Sequence, residues 1–207
     1  MCRYPPAFFH SLILPKIPEC PNSNANLGEL FATKNLDKLR EINEILGREL
    51  RHVGLELLEP QEIDVAKVIH VKAKDAFTQT GKPTLVEDTG LEFAAWNGLP
   101  GALIKWFLKS LGNEGILAML QNEGNRAAVA KTAVGFYDGS ESHVFVGEIP
   151  GTISAETKGT QGFGWDSIFV PAGSTKTFAE MEALEKNAVS MRKEALHKLQ
   201  RFFETNS

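Results

Sequence analysis

Glu87 and Asp88 stand side by side in Val86-Glu87-Asp88-Thr89-Gly90-Leu91, at the end of a strand-like run, and Gly98-Leu99-Pro100-Gly101 follows shortly after. Two carboxylates can divide two tasks: one binds a hard divalent cation through oxygen, and the other orients or deprotonates a water. On an extended strand adjacent side chains point to opposite faces, although a turn can bring both into one cleft. Glu59, in Leu58-Glu59-Pro60-Gln61, offers a further metal ligand from another loop. A pair of solvated charges at a strand end is the plain alternative.

Three further segments carry groups suited to a nucleotide. In Thr33-Lys34-Asn35-Leu36-Asp37-Lys38, a hydroxyl, an amide, lysine ammonium groups and the exposed N–H groups of a helix start all suit phosphate oxygens. The Gly-rich framework and Gly-Lys-Ser/Thr ending of a Walker loop are missing, and an ordinary polar helix cap explains the same residues. Around Phe163-Gly164-Trp165-Asp166, Gly162 and Gly164 allow a sharp turn or close approach to a ligand. The two aromatics can stack on a base and Asp166 can accept hydrogen bonds from a purine edge, although a core aromatic cluster accounts for either ring alone. Lys186, Asn187, Ser190 and Arg192 follow on a helix-like segment, with Ser190 four residues beyond Lys186 and hence on its face. As a bare charge pattern that is solvated surface. Carboxylates, cations and stacking aromatics together are what a magnesium-dependent enzyme acting on a nucleotide needs.

The elements that must position these groups alternate between strands and helices. Leu30-Phe31-Ala32 reads as a short buried strand, and Leu36, Leu39, Ile42, Ile45 and Leu46 recur at helical spacing until Gly47. A second strand is expected over Val53 to Leu58, a second helix over Val65 to Gln79, and a buried strand over Thr84 to Val86. Ile104 to Leu111 and Glu114 to Gln121 suggest short helices. Ala127 to Tyr137, a turn at Asp138-Gly139, and His143 to Ile149 read as a hairpin. One long helix is expected from Lys186 to Phe203. The mixture indicates an α/β fold.

Bulk composition sets the bounds. The 207 residues are 43% hydrophobic and 23% charged, enough for one globular domain or two lobes around one core. A net charge of −4 argues against broad nucleic-acid binding, which neutralises many phosphates. Cys2 and Cys20 are too few for a disulfide framework or a thiolate metal site, which suggests a reducing, cytoplasmic setting. No apolar run approaches the roughly 20 residues that span a bilayer. Residues 1–26, rich in Pro and Asn, read as a flexible leader or a misassigned start, and residues 27–207 as the functional domain.

From about Leu30 to Phe203 the chain resembles the inosine triphosphate pyrophosphatase family, the deaminated-purine nucleoside triphosphate pyrophosphatases. The resemblance is carried by the segments at residues 33–38, 86–91, 98–101 and 163–166, together with Ile104-Lys105-Trp106-Phe107, Phe178-Ala179-Glu180-Met181 and Glu185-Lys186-Asn187-Ala188-Val189-Ser190. It implies an elongated, two-lobed α/β fold with a long twisted mixed β-sheet flanked by helices, the nucleotide in the cleft between lobes, and a homodimer. It implies hydrolysis of ITP, dITP and XTP to the monophosphate and pyrophosphate with Mg2+, or Mn2+. Carried over by position, Thr33, Asn35, Lys38 and Thr89 bind substrate, Phe163, Trp165, Asp166, Lys186, Ser190 and Arg192 form the base pocket, and Glu59 and Asp88 hold the metal. Asp88, Lys38 and Lys72 are the catalytic residues, Asp88 activating the water. A nucleotide-binding module of the same fold with weak catalysis or relaxed base selectivity is the alternative.

Two positions depart from the family pattern. Lys34 stands where the family has glycine, and a left-handed backbone there costs about 1 kcal/mol or more with a Cβ present. Met191 replaces a histidine and cannot donate a hydrogen bond to the base, which predicts weaker separation of ITP from GTP or ATP.

Overall fold

The computed structural model describes residues 30–206; the expected leader lies outside the described residues. Its framework is set by one long hairpin. Strand β5 (Ala127–Tyr137) pairs antiparallel with β6 (Ser142–Ile153), from Ala127 opposite Thr152 to Tyr137 opposite Ser142. The turn between them closes because Asp138 Oδ1 accepts the N–H groups of Ser140 and Glu141 at 2.7 and 2.9 Å. Strand β6 extends to Ile153, beyond the expected Ile149.

Strand β3 (Val86–Phe93) lies along the other edge of β5, and β4 (Pro100–Gly101) and β7 (Phe169–Pro171) complete a five-stranded antiparallel sheet in the order β4-β3-β5-β6-β7. A small parallel pair, β1 (Leu30–Ala32) with β2 (Arg51–Val53), joins this sheet through Leu85, which exchanges backbone hydrogen bonds with Leu30 and Ala32 at 2.8 and 2.9 Å. Parallel and antiparallel strands thus meet in one mixed α/β framework.

Helices cover both faces. Helix α2 (Val65–Thr80) packs Ile69, Ala73 and Ala76 on Val86 and Ala133, whereas α5 (Met191–Thr205) packs Ala195, Leu196 and Leu199 on Leu85 and Val134. Successive strand residues serve opposite helices, as the pleat requires. Helix α1 (Leu36–Leu46) starts at Asn35, whose Oδ1 accepts the N–H groups of Asp37 and Lys38, and stops at Gly47 in the left-handed conformation. Helix α3 (Ile104–Met119) is interrupted at Gly112 (φ 68°, ψ −178°), giving two helical pieces as expected.

Three expectations about elements need correction. The strand expected over Thr84 to Val86 starts at Val86 and runs to Phe93, because β5 pairs with it along its whole length. The second strand ends at Val53 because β1, its only partner among the described residues, is three residues long and gives way to the turn into α1; residues 54–58 continue outside the ladder with Leu55 and Leu57 packed inward. The C-terminal helix is not continuous. Helix α4 (Ala183–Ala188) ends, Ser190 adopts an extended conformation, and its hydroxyl accepts the Lys193 N–H to cap α5. Lys186 and Ser190 therefore do not share one helix face.

Candidate active site

The acidic pair falls inside β3 rather than at a strand end, with the alternation that implies. Glu87 faces α5 and α1, and Asp88 faces α2. No turn intervenes, yet both line a cleft of about 800 Å³. The start of α1, the loop before α2, the first turn of α3, the segment 163–166 and Lys186, Met191 and Arg192 form its walls. One close crossing fixes the loop before α2: a Cβ on Gly101 (φ 57°) would lie 2.2 Å from the Ile63 carbonyl oxygen, so only glycine fits.

At the α1 end, Thr33 Oγ1 accepts the Asn35 N–H at 3.0 Å and Asn35 Oδ1 caps the helix, so the hydroxyl and the amide oxygen perform the ordinary capping role as well as lining the cleft. Lys34 is not strained. Asn97 is the only non-glycine residue with positive φ among the described residues, and the Lys34 ammonium pairs with Glu56.

Below this lies a buried charge cluster. The Glu87 carboxylate meets Lys38 Nζ at 2.6 Å, Arg192 Nη2 at 3.0 Å and the Thr89 hydroxyl at 2.5 Å. Burial alone would raise its pKa, but Lys38 and Arg192 overcome that and bring it to about 2. Lys72, buried on α2, donates to Glu59 Oε1 at 3.0 Å, Asp88 Oδ1 at 3.3 Å and the Glu87 carbonyl at 3.1 Å. Burial pushes the Asp88 carboxyl up against the pull of Lys72 and Lys38, with Glu87 and Glu59 adding to the rise. Glu59 also opposes a burial cost, but Lys72 and Lys105 bring its pKa down to about 2. Glu59 and Asp88 reach one ammonium with hard carboxylate oxygens, the donor type that Mg2+ and Mn2+ take, so this pair fits such a cation.

At the opposite end, Asp166 Oδ2 accepts the Phe163 N–H at 2.7 Å and Lys186 Nζ at 2.6 Å, and burial still raises the Asp166 carboxyl. The Lys186 ammonium lies 4.9 Å from the Phe163 ring centroid, with the Arg192 guanidinium carbon at 5.9 Å. Trp165 belongs to the core, edge-on to Phe169 at 5.5 Å, while still lining the cleft. Met191 is likewise buried and lines the cleft with its thioether side chain.

Of the residues singled out by sequence, Thr33, Asn35, Lys38, Glu59, Lys72, Asp88, Thr89, Phe163, Trp165, Asp166, Lys186 and Arg192 all line the one cleft. Ser190 does not: it is buried and its hydroxyl serves the α5 N-terminus. Sequence reasoning missed Glu41. Its carboxylate, 4% exposed on α1, takes Lys186 at 2.6 Å and Arg192 on its other oxygen. The signal was present, because Glu41 lies three residues beyond Lys38 and shares its helical face. A second carboxylate group, Asp138 and Glu141 with His143, gathers within 4.8 Å at the β5–β6 turn, and none of the three lines the cleft.

Fold and site define a mixed α/β protein whose cleft joins a helix N-terminus and a carboxylate–lysine cluster to an aromatic pocket with buried cations. The chain belongs to the Ham1 family, whose model matches residues 30–202. It is 46% identical over 178 residues to an inosine triphosphate pyrophosphatase of Yarrowia lipolytica, covering 84% of this chain and 94% of the relative. It is 38% identical over 181 residues to a dITP/XTP pyrophosphatase of Methanopyrus kandleri, covering 86% and 96%. Among solved structures, a HAM1 protein from Coxiella burnetii superposes with a TM-score of 0.75 at 28% identity, covering 85% of this chain and 98% of that one. No helix among the described residues is long and apolar enough to cross a membrane.

Proposed function

We propose that this protein hydrolyses deaminated purine nucleoside triphosphates, ITP, dITP and XTP, to the nucleoside monophosphate and pyrophosphate. The observation that carries the reading is the sharing of one cleft by the Asp88–Lys72–Glu59 cluster and the Phe163–Lys186–Arg192 pocket. The names of the relatives agree with it.

In this reading Thr33, Asn35, Lys38 and Thr89 hold the triphosphate. A water attacks the α-phosphorus, its proton passes to an Asp88 oxygen, and the bond from the α-phosphorus to the bridging oxygen breaks so that pyrophosphate leaves with the electron pair. Burial of Asp88 makes the carboxylate a stronger base than one in water, which suits proton acceptance. Lys38 and Lys72 oppose the charge that grows on the departing oxygen, each contributing on the order of a few kcal/mol in a closed site. Glu59 and Asp88 would hold Mg2+, or Mn2+, which supplies positive charge to the phosphate oxygens.

Base choice follows from donors. A lysine ammonium has three N–H groups, and two of those on Lys186 go to Glu41 and Asp166, leaving one for a 6-keto oxygen. Arg192 Nε is buried without a hydrogen-bond partner among the described residues. Donors directed at position 6 favour a keto oxygen and oppose a 6-amino group, a preference worth about 1–3 kcal/mol when a buried partner is lost. The protein acts as a cytoplasmic homodimer in this reading, without nucleic-acid or membrane partners. Incubation with dITP and Mg2+ tests the reaction: pyrophosphate is the expected product, orthophosphate as primary product refutes it, and binding without turnover leaves a nucleotide-binding module.

A further inference from the structure

One cation at the mouth of the cleft has no task in that reaction. The Lys34 backbone is free of left-handed strain, and the residue lines the cleft beside Thr33 and Lys38. Its ammonium pairs with Glu56 across the gap between the β1–α1 turn and the loop that precedes α2. Both sides of the gap are anchored. The Thr33 N–H donates to the Val53 carbonyl at 3.1 Å, and the Glu56 carbonyl accepts from Gln79 Nε2 at 2.9 Å.

The deeper cations are engaged by buried or half-buried acids: Lys38 by Glu87, Lys72 by Asp88 and Glu59, Lys186 and Arg192 by Glu41. Lys105 at the rim is 65% exposed but is held by half-buried Glu59, whereas Lys34, 56% exposed, is held by Glu56, whose side chain is 87% exposed. An exposed pair of this kind holds weakly. A phosphate offers several oxygens and more negative charge, so it competes effectively for the same ammonium. Lys34 lines the cleft at the α1 end, opposite the pocket of Phe163 and Lys186, so with a base in that pocket its ammonium would meet the far end of a polyphosphate rather than the phosphate next to the sugar.

We propose that Lys34 is a specificity-determining residue that binds the outermost phosphate and makes this chain favour nucleoside triphosphates over diphosphates, with Glu56 as the internal anion it exchanges. This rests on the reading that a purine nucleotide occupies the cleft. The test is calorimetric titration of the full chain with ITP and with IDP in EDTA, where metal-supported turnover is absent, for wild type, K34A, E56Q and the double variant. Lys34→Ala is expected to weaken ITP about ten-fold and IDP less than about two-fold. Glu56→Gln is expected to tighten ITP a few-fold, and only while Lys34 is present. Equal changes for ITP and IDP, no change in either, or a Glu56→Gln effect that survives in the double variant would overturn the proposal. The reaction is read separately, from pyrophosphate released by wild type with Mg2+. Discrimination of ITP from IDP through Lys34 without such release supports the proposal and removes the hydrolytic reading, whereas no binding of ITP by wild type in EDTA overturns the proposal and leaves the hydrolytic reading to the pyrophosphate measurement.

Discussion

Replacing Glu87 by glutamine keeps the shape of the side chain and removes the charge that Lys38 and Arg192 share. The cost can be worked from the site. A carboxyl brought from an ordinary 4.5 to about 2 in the folded protein contributes about 3 kcal/mol of stability at neutral pH, as an order of magnitude. The sign follows from the depressed value: the folded state resists protonation more than the unfolded chain does. The contribution is therefore full above the unfolded value and declines as pH falls toward the folded one, to about 2 kcal/mol near pH 3.5. Urea unfolding of wild type and Glu87→Gln at pH 7 and at pH 3.5 measures both differences. The variant is expected to be less stable by about 3 kcal/mol at pH 7, with the gap narrowing in acid. A loss below about 1 kcal/mol at pH 7, or a gap independent of pH, would refute the charge pairing as the cause.

Asp88→Asn should abolish pyrophosphate release from dITP while circular dichroism and melting temperature stay within the wild-type range, because it removes a proton acceptor isosterically; retained turnover with Mg2+ excludes Asp88 as the base. Met191→His should raise the ratio of kcat/KM for ITP over ATP, because it adds a donor for a 6-keto oxygen in the wall of the cleft, and an unchanged ratio rejects that role. Ser190→Ala should cost about 1 kcal/mol by removing the cap of α5, with a smaller effect on KM than Phe163→Ala; a KM effect as large as that of Phe163→Ala would mean that Ser190 does contact substrate.

What was readable in the sequence is what short-range physics dictates. Asn35 and Gly47 bracket α1 because one caps an N-terminus with its side chain and the other adopts a left-handed backbone at no steric cost. The Asp138-Gly139 turn and the alternating strands around it specify the hairpin. The strand alternation that sends Glu87 and Asp88 to different faces also holds, and β3 runs through both without a turn.

The rest required tertiary information. Whether Val53 to Leu58 forms a strand depends on the length of β1, which local pattern does not reveal. The break at Ser190 competes with a helical periodicity that runs through it, and the cap wins because its hydroxyl satisfies the Lys193 N–H. Glu41 looks like any charged helix residue until its partners, 145 and 151 positions away, are brought against it. Trp165 has enough surface to serve the core and the cleft together, so assigning it to one or the other was a false choice.

Arg192 sits between Glu41, which also holds Lys186 of the aromatic pocket, and Glu87, which also holds Lys38 at the start of α1. The two halves of the cleft are consequently wired through a single guanidinium. Under the proposed function, a lineage that retunes its preference for one nucleobase by changing this residue would also disturb the ionisation of Glu87 and Glu41, so recognition and reactivity would evolve in concert rather than as separable modules.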